Sequence, residues 1–240
     1  FEALVFGACW PFMHTSRYMR DTREKDEKCN DDYQASRFER LAASEPAIVV
    51  LGGRLPLYLT SQRFDNGEGG SERISWRRYF SPWDERKTLS DTANEAIQFI
   101  LGQGHHLILI YPIPEVGWDV PQILAQRLPR DGTSDESVLR EQPLTTSFER
   151  YLTRNADSFR LLDRTRHENL WRVYPHRLFC DNQLPGRCVT HDLNHLYYRD
   201  DDHLSYRGAE MVNSLVFDQI AEIEHRLANP EQAAGPPAVP

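Results

Sequence analysis

The chain has 240 residues, a formal net charge of −8 at pH 7, 40% hydrophobic residues and 27% charged residues. This length supports one α/β domain with a substantial core, and the composition is ordinary for a globular protein. The negative charge argues against broad binding to nucleic acid or to an acidic membrane surface. No apolar run reaches membrane-spanning length, and the first residues lack the pattern of a signal peptide.

Short apolar runs alternate with helical patterns along the chain. The runs predict buried strands at residues 4–6, 47–51, 107–111 and 170–174. The helical patterns cover residues 32–43, 91–102, 147–169 and 205–227, the last with Ser205 as N-cap. This alternation predicts a mainly parallel, doubly wound α/β sheet. Residues 130–142 are predicted to be an exposed polar segment, and residues 229–240, rich in proline and alanine, a disordered tail.

Four cysteines form one pair near each end of the chain: Cys9 with Cys29, and Cys180 with Cys188. The local spacing predicts these two disulfides, each worth about 2–3 kcal/mol if unstrained. Free buried thiols are the alternative, and a zinc site fits less well because no pair has the spacing of a zinc knuckle. Disulfides would place the domain in an oxidising compartment, the periplasm or the cell exterior.

A carboxylate stands three residues before a histidine in Asp200-Asp201-Asp202-His203-Leu204-Ser205, at the start of the last predicted helix. In a Ser-His-Asp arrangement the acid binds one ring nitrogen, and the other nitrogen is free to activate a nucleophile. We therefore predict that His203 is a catalytic base and that Asp200 orients it. Asp201 and Asp202 are predicted to be solvated or helix-capping acids. No serine of the chain stands in a convincing setting for the nucleophile.

Several blocks of the sequence together resemble one known family. They are Ala8-Cys9-Trp10-Pro11, Val49-Val50-Leu51-Gly52-Gly53-Arg54, Tyr111-Pro112-Ile113-Pro114-Glu115-Val116-Gly117-Trp118, Leu178-Phe179-Cys180-Asp181 with Gly186-Arg187-Cys188, and Tyr198 through Gly208. In this order, over residues 1–227, they are similar to the SGNH domain fused to bacterial membrane-bound acyltransferases of family three, which O-acylate cell-surface polysaccharides. The Asp-x-x-His-Leu-Ser block is the most specific of them.

The resemblance implies a three-layer α/β/α, SGNH-hydrolase-like fold with a parallel sheet and a Ser-His-Asp triad, in which His203 matches the base and Asp200 the acid. The family's serine lies in a Gly-Asp-Ser-His block on the first, central strand, and no Gly-Asp-Ser occurs in this chain. We therefore expect residues 1–228 to be an N-terminally truncated SGNH-type domain. Without that strand and its nucleophile, the chain alone is expected to fold poorly and to be inactive.

Oxyanion donors are expected at the ends of the other strands. Gly7 can present a backbone amide with no side chain to block approach. Gly53 and Arg54 stand where the broader SGNH group has an asparagine, so both are candidates for binding the oxyanion or the substrate. Arg54 either binds a polar group of the substrate or forms a salt bridge. Glu115 could line the rim of the site, but a carboxylate after Pro-x-Pro is more often a solvated loop residue, which is the prediction here.

A metal site is the rival interpretation of the same region. Its ligands would come from His191, Asp192, His195, Asp200, Asp201 and His203. Histidines four residues apart share one face of a helix, and carboxylates can complete the ligand shell. This segment, however, follows Cys188 in a loop-like stretch, where the sequence does not establish helical spacing. We expect no metal and no other cofactor.

The resemblance implies the soluble periplasmic domain of an O-acyltransferase. It would pass an acyl group, most simply acetyl, through a serine ester to a hydroxyl of a surface or exported glycan such as lipopolysaccharide. A fused membrane domain would deliver the acyl donor, which places the domain at the periplasmic face of the bacterial inner membrane. The alternatives are a carbohydrate or lipid esterase with the same triad, a non-catalytic glycan-binding domain, and a metal-dependent hydrolase.

Overall fold

The computed structural model describes residues 2–3, 7–72, 77–127 and 136–229. Its strands are Thr15–Met19 (β1), Ile48–Leu51 (β2), Arg78–Pro82 (β3), His106–Ile110 (β4), Thr145–Ser147 (β5), Leu170–Val173 (β6) and Arg187–Val189 (β7). Its helices are Asp31–Ala42 (α1), Leu55–Thr60 (α2), Leu89–Gly102 (α3), Val120–Arg127 (α4), Glu136–Glu141 (α5), Phe148–Leu162 (α6), His176–Phe179 (α7) and Tyr206–Ala228 (α8). No helix in these ranges is long and apolar enough to cross a membrane.

Three strands form a parallel sheet in the order β2-β4-β6. Ile48 of β2 lies opposite His106 of β4, and Ile108 of β4 lies opposite Trp171 of β6. Three of the four predicted strands are thus confirmed, and the fourth, at residues 4–6, lies outside the described residues. Within the described ranges β2 pairs with β4 alone, so its other side is an edge of the sheet, where Val50 is 40% exposed.

Helices cover this sheet on both faces. Successive residues of a strand point to opposite faces, and the fully buried Leu107 and Leu109 of β4 lie in one core with Ile97 of α3. Between them, Ile108 lies in a separate core with Val216 of α8. The predicted α/β/α layering therefore follows directly from the alternation along the central strand.

Two antiparallel strand pairs were not predicted, β1 with β3 and β5 with β7. Their sequences are too polar to stand out as apolar runs. Arg17 of β1, for example, is 2% exposed and forms an ion pair with Asp26 at 3.0 Å. Helix α6 ends at Leu162, seven residues before the predicted end at 169. Of the segment predicted as exposed, residues 130–135 lie outside the described part, as do residues 230–240 of the predicted tail.

Both predicted disulfides are present, Cys9–Cys29 and Cys180–Cys188. The first ties the segment before β1 to the residue that precedes Asn30, the N-cap of α1. The second joins the end of α7 to β7, where Cys188 is fully buried. Each bridge thus fixes a segment that leads into or out of an element of the fold.

Replacing Cys9 and Cys29 together by serine is expected to lower the free energy of unfolding by about 2–4 kcal/mol, because a bridge restricts the unfolded chain. The bridge spans a sequence separation of 20 residues, against 8 for Cys180–Cys188. The same double replacement at the shorter bridge is therefore expected to have the smaller effect. Urea unfolding of both variants under oxidising conditions measures the difference. Unchanged stability in the first variant would contradict the expectation.

Candidate active site

The segment from Asp200 to His203 folds into a tight turn that brings the acid and the histidine together. One carboxylate oxygen of Asp200 accepts the backbone N–H groups of Asp202, at 3.1 Å, and of His203, at 2.7 Å. This turn directs the ring of His203 back onto the same carboxylate, with Nδ1 at 3.1 and 3.0 Å from its two oxygens. The predicted pair is therefore in contact, whereas its catalytic role stays a prediction.

The contact determines which ring nitrogen of His203 is available for chemistry. A carboxylate beside Nδ1 favours the tautomer with the proton on Nδ1, which leaves the lone pair on Nε2. Within the described residues Nε2 has no hydrogen-bond partner, and the side chain is 57% exposed. Burial raises the pKa of Asp200, but the two backbone N–H donors and the charge of His203 outweigh it, so the pKa lies below its usual value. The acid is therefore ionised and suited to support a base.

The turn is attached to the loop that follows β4. The hydroxyl of the fully buried Tyr198 donates to the carbonyl oxygen of Pro114 at 2.9 Å. The backbone N–H groups of Val116 and Gly117 donate to the carbonyl oxygen of Asp201, at 3.2 and 2.9 Å. The site thus lies beyond the carboxyl end of a parallel strand, where ligands bind in open α/β sheets.

Gly208, in the first turn of α8, packs closely against the backbone of Tyr197, in the segment that precedes the helix. The backbone N–H of Gly208 donates to the hydroxyl of Ser205 at 3.1 Å, which confirms Ser205 as the N-cap. A Cβ at Gly208 would collide with the carbonyl oxygen of Tyr197. Because the obstacle is backbone, a larger residue must displace either the helix or the loop.

We expect Gly208→Ala to lower the free energy of unfolding by about 1–3 kcal/mol, as overpacking does in a well-packed interior. Gly102→Ala is the control, because a Cβ at that last residue of α3 meets nothing within 4 Å. There, loss of glycine's freedom in the unfolded chain makes the change neutral or slightly stabilising. Urea unfolding of both variants tests this. Equal effects at the two glycines would show that the helix does not constrain the loop.

Buried charges lie directly behind the turn, with Arg54 at their centre. Its Nε donates to Oε1 of Glu115 at 2.6 Å, its Nη1 lies 2.6 Å from Oδ2 of Asp202, and its Nη2 contacts Glu72 and Glu115. The side chains of Glu72 and Glu115 are 1% and 3% exposed. Every guanidinium nitrogen thus contacts a carboxylate, and the structure places Arg54 in salt bridges.

The prediction that Glu115 is a solvated loop residue is wrong. The prediction that Asp202 is a solvated or helix-capping acid is also wrong, because its side chain is buried and Ser205 caps α8. Asp202 is only 9% exposed, and its pKa is raised because burial outweighs the opposing charge of Arg54. Both acids are buried because Arg54 lies between them. Its partner Glu115 is 61 positions away along the chain, so local sequence does not reveal the pairing.

The two candidate oxyanion glycines, Gly7 and Gly53, make their contacts with residues outside this turn. Within the described residues, no hydrogen bond joins Gly7 or Gly53 to Asp200 or His203. The carbonyl oxygen of Gly7 accepts from Nη1 of Arg17 at 3.2 Å. A Cβ at Gly53 would stand 2.6 Å from Cδ1 of Trp10, so this glycine allows close packing of the indole. Their role as oxyanion donors stays a prediction.

The six residues of the rival metal site are not gathered into one ligand set. Both ring nitrogens of His191 are occupied, Nε2 by the N–H of Leu144 at 3.1 Å and Nδ1 by the carbonyl oxygen of Asp192 at 2.8 Å. Asp200, Asp202 and His203 do place ligand atoms within 4.8 Å of one another. These are the same atoms that hold the imidazole in the acid–base arrangement.

A second Asp-x-x-His turn, from Asp192 to His195, precedes the first. Oδ1 of Asp192 accepts the backbone N–H groups of Asn194 and His195, at 2.7 and 2.6 Å. Nδ1 of His195 lies 3.4 Å from the same oxygen. The repeated spacing was visible in the sequence. The two turns differ at the residue before the histidine, which is Asn194 in one and Asp202 in the other.

The parallel sheet, with helices on both of its faces, is consistent with an SGNH-hydrolase-like α/β/α fold. The family model of the SGNH domain fused to AT3 domains matches residues 2–217 of the 240. The chain therefore belongs to this family, as the sequence blocks predicted. No curated protein and no solved structure matches it.

Proposed function

We propose that this chain supplies the acid and base of an O-acyltransferase, which moves an acyl group, most simply acetyl, through a serine ester to a hydroxyl of a cell-surface polysaccharide. The observation that carries the proposal is the contact between Nδ1 of His203 and Asp200, with Nε2 left free. A base held in this way takes a proton from an attacking hydroxyl. Membership of the family fused to AT3 domains supports acyl groups as the cargo.

The reaction would proceed in two steps, and in each of them His203 would accept a proton and then release it. The serine oxygen attacks the carbonyl carbon of the acyl donor while Nε2 takes the serine proton, and the leaving group departs with that proton. A glycan hydroxyl then attacks the serine ester and gives its proton to Nε2, from which the proton returns to the serine oxygen. In both steps the carboxylate of Asp200 stabilises the imidazolium.

The nucleophile would come from a segment outside the 240 residues, since they contain no Gly-Asp-Ser. The sheet supports this proposal, because β2 pairs with β4 alone within the described ranges and Val50 on β2 is 40% exposed. One further parallel strand can pair with this edge. Its carboxyl end would then lie at the same side of the sheet as the turn that carries His203.

The domain would act on the periplasmic face of the inner membrane, where a fused AT3 domain delivers the acyl donor. Two disulfides support an oxidising compartment.

The domain would extend to residue 228. Helix α8 continues unbroken from Tyr206 to Ala228, and Ile223, beyond the family match, is fully buried against the sheet.

An esterase with the same acid and base is the second candidate. The side chain of His203 is 57% exposed, so water can reach the base as readily as a glycan hydroxyl. Transfer and hydrolysis share the acyl-enzyme and differ only in which hydroxyl attacks it. Exclusion of water would therefore decide between them.

The test uses the complete protein, including its membrane domain, with an acyl donor and purified cell-surface polysaccharide. Acyl groups on the polysaccharide and free carboxylic acid are both quantified. We expect acylated polysaccharide as the main product. Free acid alone would support the esterase and overturn the transferase.

Two other outcomes would end the proposal of serine chemistry. Saturable binding of the polysaccharide with neither product would indicate a glycan-binding domain without catalysis. Activity that is lost with a chelator and restored by a divalent cation would indicate a metal-dependent hydrolase.

A further inference from the structure

Asp202 connects the exposed imidazole of His203 to the buried charges behind it. Its Oδ1 lies 3.2 Å from Nδ1 of His203, and its Oδ2 lies 2.6 Å from Nη1 of Arg54. Nδ1 of His203 therefore faces two carboxylates, Asp200 and Asp202. The first belongs to the local turn, and the second is held by a distant part of the chain.

Arg54 is itself immobilised by its neighbours. Glu115 accepts from Nε of Arg54 with one oxygen and from Nε of Arg154 with the other, at 2.6 and 2.8 Å. Nη2 of Arg154 also donates to the carbonyl oxygen of Gln62 at 2.6 Å. Buried ion pairs need such fixed geometry to offset desolvation. The guanidinium is thus a rigid support for the carboxylate of Asp202.

The cluster contains three cations and three anions, so the buried carboxylate of Asp202 has cationic partners. Its cations are Arg54, Arg63 and Arg154, and its anions are Glu72, Glu115 and Asp202. The turn at His195 has no equivalent support, since Asn194 is exposed and carries no charge. The two Asp-x-x-His turns therefore differ in what lies behind the histidine.

We propose that Arg54 is a positioning residue for His203, acting through Asp202. The carboxylate of Asp202, oriented by Arg54, holds the Nδ1–H side of the imidazole together with Asp200, so that Nε2 keeps one direction. This arrangement distinguishes His203 from His195. The proposal rests on the proposed role of His203 as base. It concerns the tautomer of the imidazole, which can be measured without acyl transfer.

The first experiment measures the tautomers of His203 and His195 by long-range 1H–15N NMR. The sample is the complete protein, labelled with 15N in its histidines. We expect a larger Nδ1–H fraction at His203 than at His195. Asp202→Asn is expected to reduce it, because the single amide oxygen will face Arg54 and the NH2 group will face Nδ1–H. Asp201→Asn is the control, because it removes the same charge one position earlier in the chain. The side chain of Asp201 contacts neither His203 nor Arg54 among the described residues, so the Nδ1–H fraction of His203 is expected to stay unchanged.

The second experiment asks whether Arg54 acts through Asp202. Arg54→Lys keeps the charge but offers one nitrogen instead of three, so the Nδ1–H fraction of His203 is expected to fall. In the Asp202→Asn background the same change should have no further effect. Should Arg54→Lys fail to fold, Asp202→Asn still tests the link between Arg54 and His203. That variant leaves Arg54 paired with Glu72 and Glu115.

An unchanged tautomer in Asp202→Asn would overturn the proposal, as would equal effects of Asp201→Asn and Asp202→Asn. In the complete enzyme, Asp202→Asn is expected to lower kcat with little change in KM, since the carboxylate of Asp202 is 9% exposed and faces Arg54 and His203. If His203→Ala retains full acyl transfer, the proposed function fails while the tautomer result still stands. The two failures are thereby distinguishable.

Discussion

His203→Ala is expected to lower the rate of acyl transfer by the complete enzyme by about 100- to 10,000-fold, the usual contribution of a general base. The side chain is 57% exposed, and its contacts are with carboxylates of its own turn. Its removal therefore leaves the core intact, and the free energy of unfolding should change little. Steady-state rates of polysaccharide acylation, with urea unfolding of the same preparation, measure both quantities.

His195→Ala is the matched control for this experiment. His195 occupies the same position in an Asp-x-x-His turn, is 50% exposed and lies 3.4 Å from its aspartate. The control is expected to keep the rate of the unmodified enzyme. A normal rate in His203→Ala would remove His203 from the mechanism, and an equal loss in both variants would show that the measurement reports damage to the loop.

Glu115→Gln is expected to lower the free energy of unfolding by about 3–5 kcal/mol, as when one partner of a buried ion pair is removed. The carboxylate is 3% exposed and binds Nε of both Arg54 and Arg154. Glutamine keeps the size of the side chain but loses the charge, so Arg154 is left without a carboxylate among the described residues. Equilibrium unfolding in urea gives the difference.

Glu210→Gln provides the comparison at the surface. Glu210 pairs with Arg207 at 2.6 Å, and the two side chains are 57% and 46% exposed. Exposed pairs contribute about 0–1 kcal/mol, so this variant should unfold almost as the unmodified protein does. A loss at Glu115 as small as at Glu210 would mean that water reaches the cluster and screens its charges.

The parts of the fold that sequence predicts are those in which neighbours along the chain determine structure. Apolar runs such as residues 107–111 mark buried parallel strands because both of their faces meet helices. Ser205 caps α8 through its own hydroxyl. The contact of Asp200 with His203 is likewise local, since the two residues are three positions apart in one turn.

The features that the sequence does not predict are the buried charges around Arg54 and strand β1, which depend on contacts between distant residues. Arg54 and Glu115 are 61 positions apart, and neither segment shows that the other is its partner. Asp202 stands among three aspartates, and only the structure separates the one that faces Arg54 from its neighbours. Strand β1 is missed for a related reason, because the buried Arg17 depends on Asp26 to compensate its charge.

The carboxylate of Asp200 and the imidazole of His203 belong to one turn, whose own backbone N–H groups bind the carboxylate. Their separation is therefore insensitive to hinge motion, to loop insertions and to sliding of the layers elsewhere in the fold. Such changes leave the distance between the Asp200 carboxylate and Nδ1 of His203 as it is. Mutations that leave both this turn and the charges around Arg54 intact should consequently preserve the contact between Nδ1 of His203 and Asp200.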